Sequence, residues 1–409
     1  MLPVPKLFRR APLAAGVVVV TVSALALSGC EAAQDAAENI PGVGASDDET
    51  TAVAETTPVQ LKANVKRGAT DVPVSTLVEV TAAHGELDKV TVTGGGAKLP
   101  GEISANGASW TATERLEPGV TYSVKATGTG EDGESARWTS EFTSQALTLD
   151  QQTYPSVAPL DGETVGVGMP VVVTFDLPVT DKKTIERNLH VETTPAQEGT
   201  WHWVTDNEVH YRPKKYWQAG TEVSVDVDIN GVPAGGGLYG QEDRQIDFTV
   251  GDAHIYKVNA QTHQMEVFSN GKLLRTIPIT TGKEGFTTRS GVKVIIEKFD
   301  VKRMNSETVG IPQGSAEAYD IDDVQWAMRL TYSGEFIHAA PWSVGSQGYA
   351  NVSHGCTGMS TENAGWLYDM TLRGDVVEYV GTDRPMEPYN GYGDWNIDYA
   401  DYRAGSALD

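Results

Sequence analysis

The chain has 409 residues, of which 40% are hydrophobic, so it is long enough for two or three domains with their own cores. Acidic residues outnumber basic residues by 55 to 31, which gives a formal net charge of −24 at pH 7. No basic stripe offsets this charge, so the composition excludes a nucleic-acid-binding protein. After the N-terminus, no apolar run approaches the roughly 20 residues that a membrane-spanning helix needs.

The N-terminus has the order of an export signal. Three basic residues, Lys6, Arg9 and Arg10, precede an apolar stretch over residues 11–27. Small residues then lead directly into Cys30, an arrangement that resembles the bacterial lipobox. The resemblance implies that the first 29 residues are removed as a signal peptide and that lipid on Cys30 anchors the protein to the membrane. The alternatives are an ordinary secretion signal or a short membrane anchor, with Cys30 incidental.

Residues 30–58 have the composition of a disordered acidic tether. The stretch 31–58 carries seven acidic residues, no basic residue and no aromatic residue. Such a segment cannot bury enough apolar surface to fold, and its like charges extend it. We expect it to hold the folded part of the protein away from the membrane.

The region that follows alternates apolar and polar side chains in short runs, the pattern of half-buried strands. Such runs cover residues 76–80, 89–93, 110–113 and 122–126. Clusters of glycine and proline separate the runs. Many short strands separated by such clusters are typical of β-sandwiches.

A weak internal repeat divides this region into two modules. The segment 119–124 matches 220–225 at identical spacing, and a Phe-Thr pair follows each of them. We therefore predict two immunoglobulin-like β-sandwich modules, over residues 59–147 and 148–250. Neither has the Cys…Trp…Cys pattern of antibody domains, and the fold alone indicates no role beyond that of a spacer.

From residue 251 the sequence pattern differs from that of the two modules. Strands are predicted over residues 254–258, 264–268, 273–280, 292–299, 325–332 and 375–380. Ser360 is a suitable N-cap for a helix that shows apolar residues at helical spacing and ends at Gly374. The pattern predicts a β-rich domain over residues 251–382 with one or two short helices, then a C-terminal extension over residues 383–409. The predicted fold class is therefore mainly β.

Cys356 is the residue most indicative of chemistry, because the chain has only two cysteines and the lipobox uses the other. A nearby histidine, His338 or His354, would make the thiol a nucleophile by taking its proton or stabilising its thiolate. In an extended segment His354 and Cys356 would point to the same face. Two alternatives stay open: the three side chains ligate zinc together with a water, or they are structural.

The spacing of these residues resembles the signature of the YkuD-type L,D-transpeptidases. His338 is followed by fourteen residues and then by the Ser-His-Gly-Cys block at 353–356, as in that family. Further similarities to its mycobacterial-type branch lie around Trp342 and at residues 366–369, 373–378 and 393–396. That branch also carries a lipobox-type or anchored N-terminus and immunoglobulin-like modules. The resemblance covers nearly the whole mature chain and implies an L,D-transpeptidase catalytic domain at residues 251–382.

The resemblance implies a role for each matched residue of the signature. Cys356 is the nucleophile and His338 is the general base. His354 shapes the cleft, and Ser353 orients it. Backbone amides around Gly355 and Cys356 supply the oxyanion donors.

Substrate-binding positions follow from the same resemblance. Tyr319 lies where the family keeps a tyrosine beside the oxyanion pocket, and Met304 lies in the stretch that forms the lid of the cleft. Trp342 and Gly358 complete this set. Gly358 stands where the family usually has Asn, and the branch usually has Ser where this chain has Ala339. Val309 lies near the position of a lid tyrosine common in the branch. These departures bear on rate and substrate fit, while the nucleophile and the base are intact.

The implied reaction is a two-step acyl transfer on peptidoglycan. The Cys356 thiolate attacks the carbonyl between meso-diaminopimelate and the terminal D-Ala of a tetrapeptide stem, and a thioester forms as D-Ala leaves. An amine of a second stem then attacks, giving a 3→3 cross-link, while His338 moves the protons. No metal or organic cofactor is implied, and carbapenems are expected to acylate the thiol. The protein is expected on the extracytoplasmic face of the cell membrane, held by lipid on Cys30 and facing the wall.

Two alternatives to this function are carried forward. Attack of water on the thioester would make the protein an L,D-carboxypeptidase acting on tetrapeptide stems. The departures at Ala339 and Gly358 also allow a wall-binding lipoprotein whose catalytic domain has lapsed.

Overall fold

The structure, a computed structural model, describes residues 57–409. The predicted signal peptide, Cys30 and the predicted tether as far as residue 56 lie outside the described residues. Within residues 57–409, no helix has the length and apolar character needed to cross a membrane. Strands dominate the described chain, so the predicted mainly β fold class is confirmed.

The first folded region is a sandwich of two four-stranded sheets. Its strands are β1 (Gln60–Ala63), β2 (Glu79–Ala83), β3 (Gly85–Gly94), β4 (Ala97–Leu99), β5 (Gly101–Ile103), β6 (Ser109–Ala112), β7 (Thr121–Gly130) and β8 (Ser135–Thr143). One sheet has the order β1-β2-β6-β5 and the other β4-β3-β7-β8. Trp110 from the first sheet packs in one core with Tyr122 and Phe142 from the second. Burial alternates along β7, as expected for a strand with one face on a core.

A second sandwich follows. Its elements are β9 (Gln152–Thr153), β10 (Pro155–Ala158), β11 (Thr164–Val165), β12 (Val171–Phe175), α1 (Lys182–Glu186), β13 (Leu189–Thr194), β14 (Gly199–Trp203), β15 (Glu208–Pro213), β16 (Glu222–Val227), β17 (Pro233–Gly235), β18 (Leu238–Gly240) and β19 (Arg244–Val250). The two main sheets have the orders β10-β12-β15-β14 and β11-β19-β16-β13, and β17, β18 and β9 form a small third sheet. The predicted pair of sandwiches is therefore present.

The internal repeat of the sequence corresponds to a repeated strand pairing. In the first sandwich Ser123 of β7 lies opposite Glu141 of β8. In the second, Ser224 of β16 lies opposite Asp247 of β19. The matched segments therefore occupy equivalent positions in the two sandwiches, since register is fixed wherever one face of a strand is buried.

The third region combines two sheets with one substantial helix. Its elements are β20 (His254–Asn259), β21 (Gln264–Ser269), β22 (Lys272–Pro278), β23 (Gly291–Val294), β24 (Glu297–Asn305), β25 (Asp320–Arg329), β26 (Phe336–Ala339), β27 (Thr357–Met359), α2 (Thr361–Met370), β28 (Val376–Val380) and α3 (Tyr399–Arg403). The sheets have the orders β22-β21-β20-β28-β23 and β24-β25-β26-β27. Their shared core contains Tyr256 and Val258 of β20, Ile337 of β26 and Leu367 of α2.

Two predicted boundaries in this region are wrong. The strand predicted over residues 292–299 is two strands, β23 and β24, which belong to different sheets. The buried pair Ile295 and Ile296 carries the chain from one sheet to the other, and a continuous apolar run does not reveal such a crossing. Helix α2 ends at Met370, before Gly374, because the Thr371 hydroxyl donates to the Leu367 carbonyl at 2.6 Å and its backbone turns to extended geometry.

The second sandwich and the third region share one hydrophobic cluster. Trp217 and Val167 of the sandwich belong to the same cluster of buried side chains as Val294, Val376 and Tyr392. The indole of Trp217 also donates to the Met169 carbonyl at 2.7 Å. The two regions are thus packed together as a continuous interior, which fixes the sheet that carries β23 and β28.

The predicted C-terminal extension returns to the second sandwich. Asp394 is buried and its carboxylate accepts a hydrogen bond from His210 Nδ1 at 2.8 Å. Arg212 donates to the Ile397 carbonyl at 2.9 Å, and its guanidinium carbon lies 4.3 Å from the ring centroid of Tyr402. A buried ion pair and cation–π contacts therefore connect the C-terminal segment to the sandwich.

The buried His210–Asp394 pair predicts a pH-dependent stability. Burial lowers the pKa of His210, but the carboxylates of Asp394 and Glu208 outweigh this effect and raise it to about 9. Because this folded-state pKa exceeds the unfolded value near 6.5, the contribution is complete below pH 6.5 and is lost as pH rises toward 9. We expect a loss on the order of 2–3 kcal/mol, measured as chemical denaturation at pH 6 and pH 9.

Two variants distinguish the contribution of His210 to the pH dependence of stability from the contributions of other titrating groups. The variant His210→Asn should be less stable at pH 6 and should lose most of the difference between pH 6 and pH 9. Substitution of the exposed His190 by Asn should leave that difference unchanged. An equal pH dependence in wild type and His210→Asn would show that the pair does not carry the effect.

Candidate active site

A parallel strand pair brings the two principal candidates together. Strands β26 and β27 pair so that Ile337 lies beside Thr357 and His338 beside Gly358. Cys356 directly precedes β27. The side chains of His338 and Cys356 line one cavity of about 270 Å³.

The same cavity collects nearly all the predicted site residues. Its lining includes Met304, Tyr319, His338, Trp342, Ser353, His354, Cys356 and Gly358. Gly355 is the exception among the predicted site residues in the described part of the chain. Its carbonyl accepts a hydrogen bond from the Thr288 hydroxyl at 2.8 Å, and its φ of 121° is one that glycine adopts readily.

His338 is held in the tautomer of a general base. Its Nδ1 lies 2.8 Å from the carbonyl oxygen of Ala339, which only accepts hydrogen bonds, so Nδ1 carries the proton and Nε2 is an acceptor. Burial lowers the pKa of His338, so the ring is neutral at pH 7. A main-chain carbonyl orients the ring, so Ala339 supplies this contact without the serine hydroxyl usual in the branch.

The Cys356 thiol is neutral in the resting site. Burial raises its pKa to about 12, with an opposing contribution from the backbone of Phe336. The thiol contacts the Gly334 carbonyl, with Sγ 3.6 Å from the oxygen. A nucleophilic attack by this sulfur would therefore need a base to remove the proton, and His338 Nε2 is an acceptor on the wall of the same cavity.

Ser353 organises the segment that carries the nucleophile. Its hydroxyl donates to the carbonyl of Cys356 at 2.6 Å and accepts from the backbone N–H of Gly355 at 3.1 Å. The chain bends at His354 and Gly355, so the assumption of an extended segment was wrong. His354 and Cys356 nevertheless line the same cavity, because the bend and the Ser353 contacts fix both.

His354 is paired with a carboxylate from the stretch 304–319, whose ends Met304 and Tyr319 line the cavity and which is called the lid here. Its Nε2 lies 2.7 Å from Glu317, whose carboxylate also accepts a hydrogen bond from Lys283 at 2.5 Å. The imidazole packs between the rings of Phe286 and Tyr319, with centroid distances of 4.5 and 5.1 Å. His354 therefore connects the segment that carries Cys356 to the lid and forms part of the cavity wall.

Cys356 lies where two cavities meet. A second cavity, of about 210 Å³, also has Met304, Tyr319 and Cys356 in its lining and extends to Val309 and Tyr332 on the other side. Met304 and Tyr319 thus stand between the two spaces. This arrangement gives the sulfur two approaches.

Gly358 sits in a crowded part of β27. A Cβ on this residue would lie 2.9 Å from the Ala340 Cβ and 3.1 Å from the Thr280 Cγ2. Its backbone is ordinary strand, without a positive φ. The space that a larger side chain would need at this position is filled by its neighbours.

Several charged residues of the site escaped the sequence analysis. Glu317 and Lys283 lie far from the motif in sequence, and nothing in their spacing indicates that they meet. Lys293 and Glu335 are buried behind Cys356. The sequence did contain an indication that Lys293 is unusual, because this charged residue interrupts the apolar run 292–296. Among residues 57–409, no group of three His, Cys, Asp or Glu side chains is arranged to hold a metal ion.

Comparison with known proteins identifies the class to which this site belongs. A family model described as the L,D-transpeptidase catalytic domain matches residues 253–378, and a bacterial Ig domain model matches residues 69–233. L,D-transpeptidase 2 of Mycobacterium tuberculosis (strain CDC 1551 / Oshkosh) is 39% identical over 350 residues, which cover 85% of each chain. L,D-transpeptidase 5 of M. tuberculosis (strain ATCC 25618 / H37Rv) is 33% identical over 349 residues, covering 83% of this chain and 75% of that protein.

A solved structure, that of LD transpeptidase LdtMt1 in complex with imipenem, is 40% identical and covers 56% of this chain and 99% of that one, with a TM-score of 0.49. From the extent and identity of the sequence matches, this chain belongs to the L,D-transpeptidase family, whose members are acyltransferases. The resemblance found in the sequence is confirmed.

The crowding at Gly358 predicts that the family's asparagine would be harmful here. The variant Gly358→Asn must displace Ala340 or Thr280, at a cost of about 1–3 kcal/mol in stability. The movement would disturb the segment next to Cys356, so we expect a roughly tenfold or larger loss of transpeptidation rate at equal folded fraction. Gly345→Asn is the matched control, since a side chain there meets open space. A faster Gly358→Asn enzyme would contradict the packing argument.

Proposed function

We propose that this protein is a cysteine-dependent L,D-transpeptidase that forms 3→3 cross-links in peptidoglycan through a thioester on Cys356. The observation that carries the proposal is the placement of one thiol at the junction of two cavities, with the acceptor nitrogen of His338 free in the first. A transfer reaction needs a donor and an acceptor to reach the same atom in turn. Two approaches to Cys356 meet this requirement.

In the first step Cys356 attacks the carbonyl that precedes the terminal D-Ala of a tetrapeptide stem. His338 Nε2 takes the thiol proton and then gives it to the departing amine of D-Ala, leaving a thioester. The neutral resting state of both groups supports this order of events. No charged pair has to form before substrate binds, and the proton moves when the sulfur attacks.

In the second step an amine of another stem attacks the thioester. His338 takes a proton from this amine, and the thiol is regenerated when the peptide bond forms. Lys302, Arg303 and Arg329 line the second cavity. Arg303 is paired with Asp320 and Asp322 and Arg329 with Glu297, so among the described residues Lys302 is the cation of this wall whose charge suits a carboxylate of a stem peptide. A defined second cavity favours transfer over hydrolysis, because it offers a peptide a place beside the sulfur.

Carbapenem acylation follows from the same chemistry. An activated thiol that attacks a strained β-lactam carbonyl forms an acyl-enzyme, and the first cavity supplies the neighbouring base. Donor and acceptor stems and carbapenems are therefore the proposed partners.

The proposed location is the outer face of the cell membrane. The sequence of the N-terminus supports cleavage before Cys30 and lipid on its thiol, which would place the catalytic domain toward the cell wall. The acidic segment 30–58 would span the distance between the lipid and the first sandwich.

Replacing the nucleophile tests the proposal. Purified wild type should convert a disaccharide-tetrapeptide into 3→3 cross-linked dimer and free D-Ala, detected by mass spectrometry. Cys356→Ala has no nucleophilic side chain, and in Cys356→Ser an alkoxide is far harder to generate than a thiolate, so both variants should completely lose D-Ala release and dimer formation. Thermal melting should show that both variants fold.

The products distinguish the alternatives. Release of D-Ala with tripeptide and no dimer would identify an L,D-carboxypeptidase. Absence of any turnover by a folded wild type on tetrapeptide donors would identify a lapsed enzyme. Turnover retained in Cys356→Ala would overturn the assignment of the nucleophile.

A further inference from the structure

Three charged side chains are buried together behind the nucleophile. Lys293 is 0% exposed, Glu335 4% and Arg289 7%. The Glu335 carboxylate is shared, since one oxygen accepts from the Arg289 guanidinium at 2.9 Å and the other accepts from the Lys293 ammonium. Arg289 also contacts Glu387, which is half-exposed. Within the buried part of the cluster, two cations therefore share one carboxylate.

Glu335 connects this cluster to one side of the nucleophile. It follows Gly334, whose carbonyl is the contact of the Cys356 thiol at 3.6 Å. Its Cγ lies 3.7 Å from the point where a Cβ on Gly355 would stand. The carboxylate thus lies behind the segment that carries the sulfur.

Lys293 connects the cluster to the other side. Its Nζ lies 3.7 Å from the centroid of the Tyr379 ring, and the Tyr379 hydroxyl is 2.6 Å from the hydroxyl of Thr357. Thr357 directly follows Cys356. Strand β23 therefore presents an ammonium group to the interior, where Tyr379 connects it to the residue that follows Cys356.

A buried lysine at this position needs an explanation beyond stability. Burial lowers the pKa of Lys293 to about 8, against the opposing effect of Glu335. Buried ion pairs are often no more stabilising than an apolar pair of the same volume, because both charges lose their hydration. Perturbed charged groups of this kind concentrate at functional sites.

We propose that Lys293 is a positioning residue for the nucleophile: its buried ammonium offsets the negative charge that develops on Cys356 as the thiol proton passes to His338. Glu335 holds the ammonium in place and has the opposite effect on the sulfur. Arg289 is also paired with Glu387, so the whole cluster is formally neutral, and the effect on the sulfur comes from the position of the Lys293 ammonium. This inference rests on the proposed function, because it takes Cys356 as the nucleophile.

Other titratable groups also face the Cys356 thiol and influence its ionisation. They are Glu335 before β26, His338 on β26, Tyr319 on the lid, His354 in the nucleophile segment and Tyr379 on β28. Lys293 is the buried cation among the groups that act on the Cys356 charge. Its removal therefore changes the reactivity of the thiol in one direction.

Thiol alkylation as a function of pH tests this role. In Lys293→Met, Glu335 keeps Arg289 as a partner, so the fold is preserved, but the sulfur faces Glu335 without the ammonium. At pH 7 iodoacetamide should alkylate Cys356 about tenfold more slowly than in wild type, a shift of about one pKa unit, read by peptide mass mapping. The difference should shrink above pH 8, where the Lys293 ammonium of the wild type loses its proton. Transpeptidation should slow by a similar factor. The matched control is Lys298→Met, which removes a lysine bonded to the Tyr368 and Thr371 carbonyls and should leave alkylation unchanged.

A double variant separates charge from packing. In Lys293→Met/Glu335→Gln the opposing charges are both removed, so the alkylation rate should return most of the way to that of wild type. An unchanged alkylation profile in Lys293→Met, with only a lower melting temperature, would reduce Lys293 to a structural residue and overturn the proposal. A double variant as slow as or slower than Lys293→Met would do the same.

The experiment also separates this inference from the proposed function. Alkylation reads the thiol itself and needs no peptidoglycan. A shifted alkylation profile without cross-linking by wild type would retain the electrostatic role and reject the function. Normal cross-linking with an unshifted profile would reject the role of Lys293 alone.

Discussion

Partial burial of Cys356 is the constraint on which the rest of the site depends. Desolvation raises the pKa of the thiol to about 12, so the sulfur keeps its proton at neutral pH although Cys356 lines both cavities. A base must therefore stand beside it with an unprotonated nitrogen. The parallel pairing of β26 with β27 puts His338 on the wall of the cavity that Cys356 also lines, and the Ala339 carbonyl fixes the tautomer in which Nε2 is an acceptor. The same burial makes any nearby charge effective, which gives Lys293 and Glu335 their importance.

Packing of the second sandwich and contacts of the lid keep this geometry rigid. The second sandwich shares a hydrophobic cluster with the sheet that contains β23 and β28, so Lys293 on β23 stands on a strand that cannot shift independently. The C-terminal segment closes the arrangement by returning to the sandwich through the buried pair of His210 and Asp394. On the open side, Glu317 connects the lid to His354. The sandwich next to the catalytic domain is therefore part of its support.

Much of the fold could be predicted from the sequence, and so could the meeting of His338 and Cys356 in one cavity, because hydrophobic periodicity and a short motif carry that information locally. Alternating runs predicted the sandwiches, and the repeat predicted that there are two of them. The crossing at Ile295 was missed, because a buried apolar run looks the same within one strand or between two. The partners of the site were missed for another reason: Glu335 and Glu317 reach it only through tertiary contacts. The sequence showed that Gly358 stands where the family usually has Asn. Only the structure shows that Ala340 and Thr280 fill the space that a side chain at this position would need.

The central claim is that Cys356 carries the acyl group in a site where His338 is the base. Rapid acid quenching of the protein with a tetrapeptide donor, followed by intact mass and peptide mapping, tests it most directly. The account predicts a tripeptide acyl group on the peptide that contains Cys356, formed with release of one D-Ala per protein and greatly slowed in His338→Gln. An acyl group on another residue, or one that forms in His338→Gln at the wild-type rate, would contradict it.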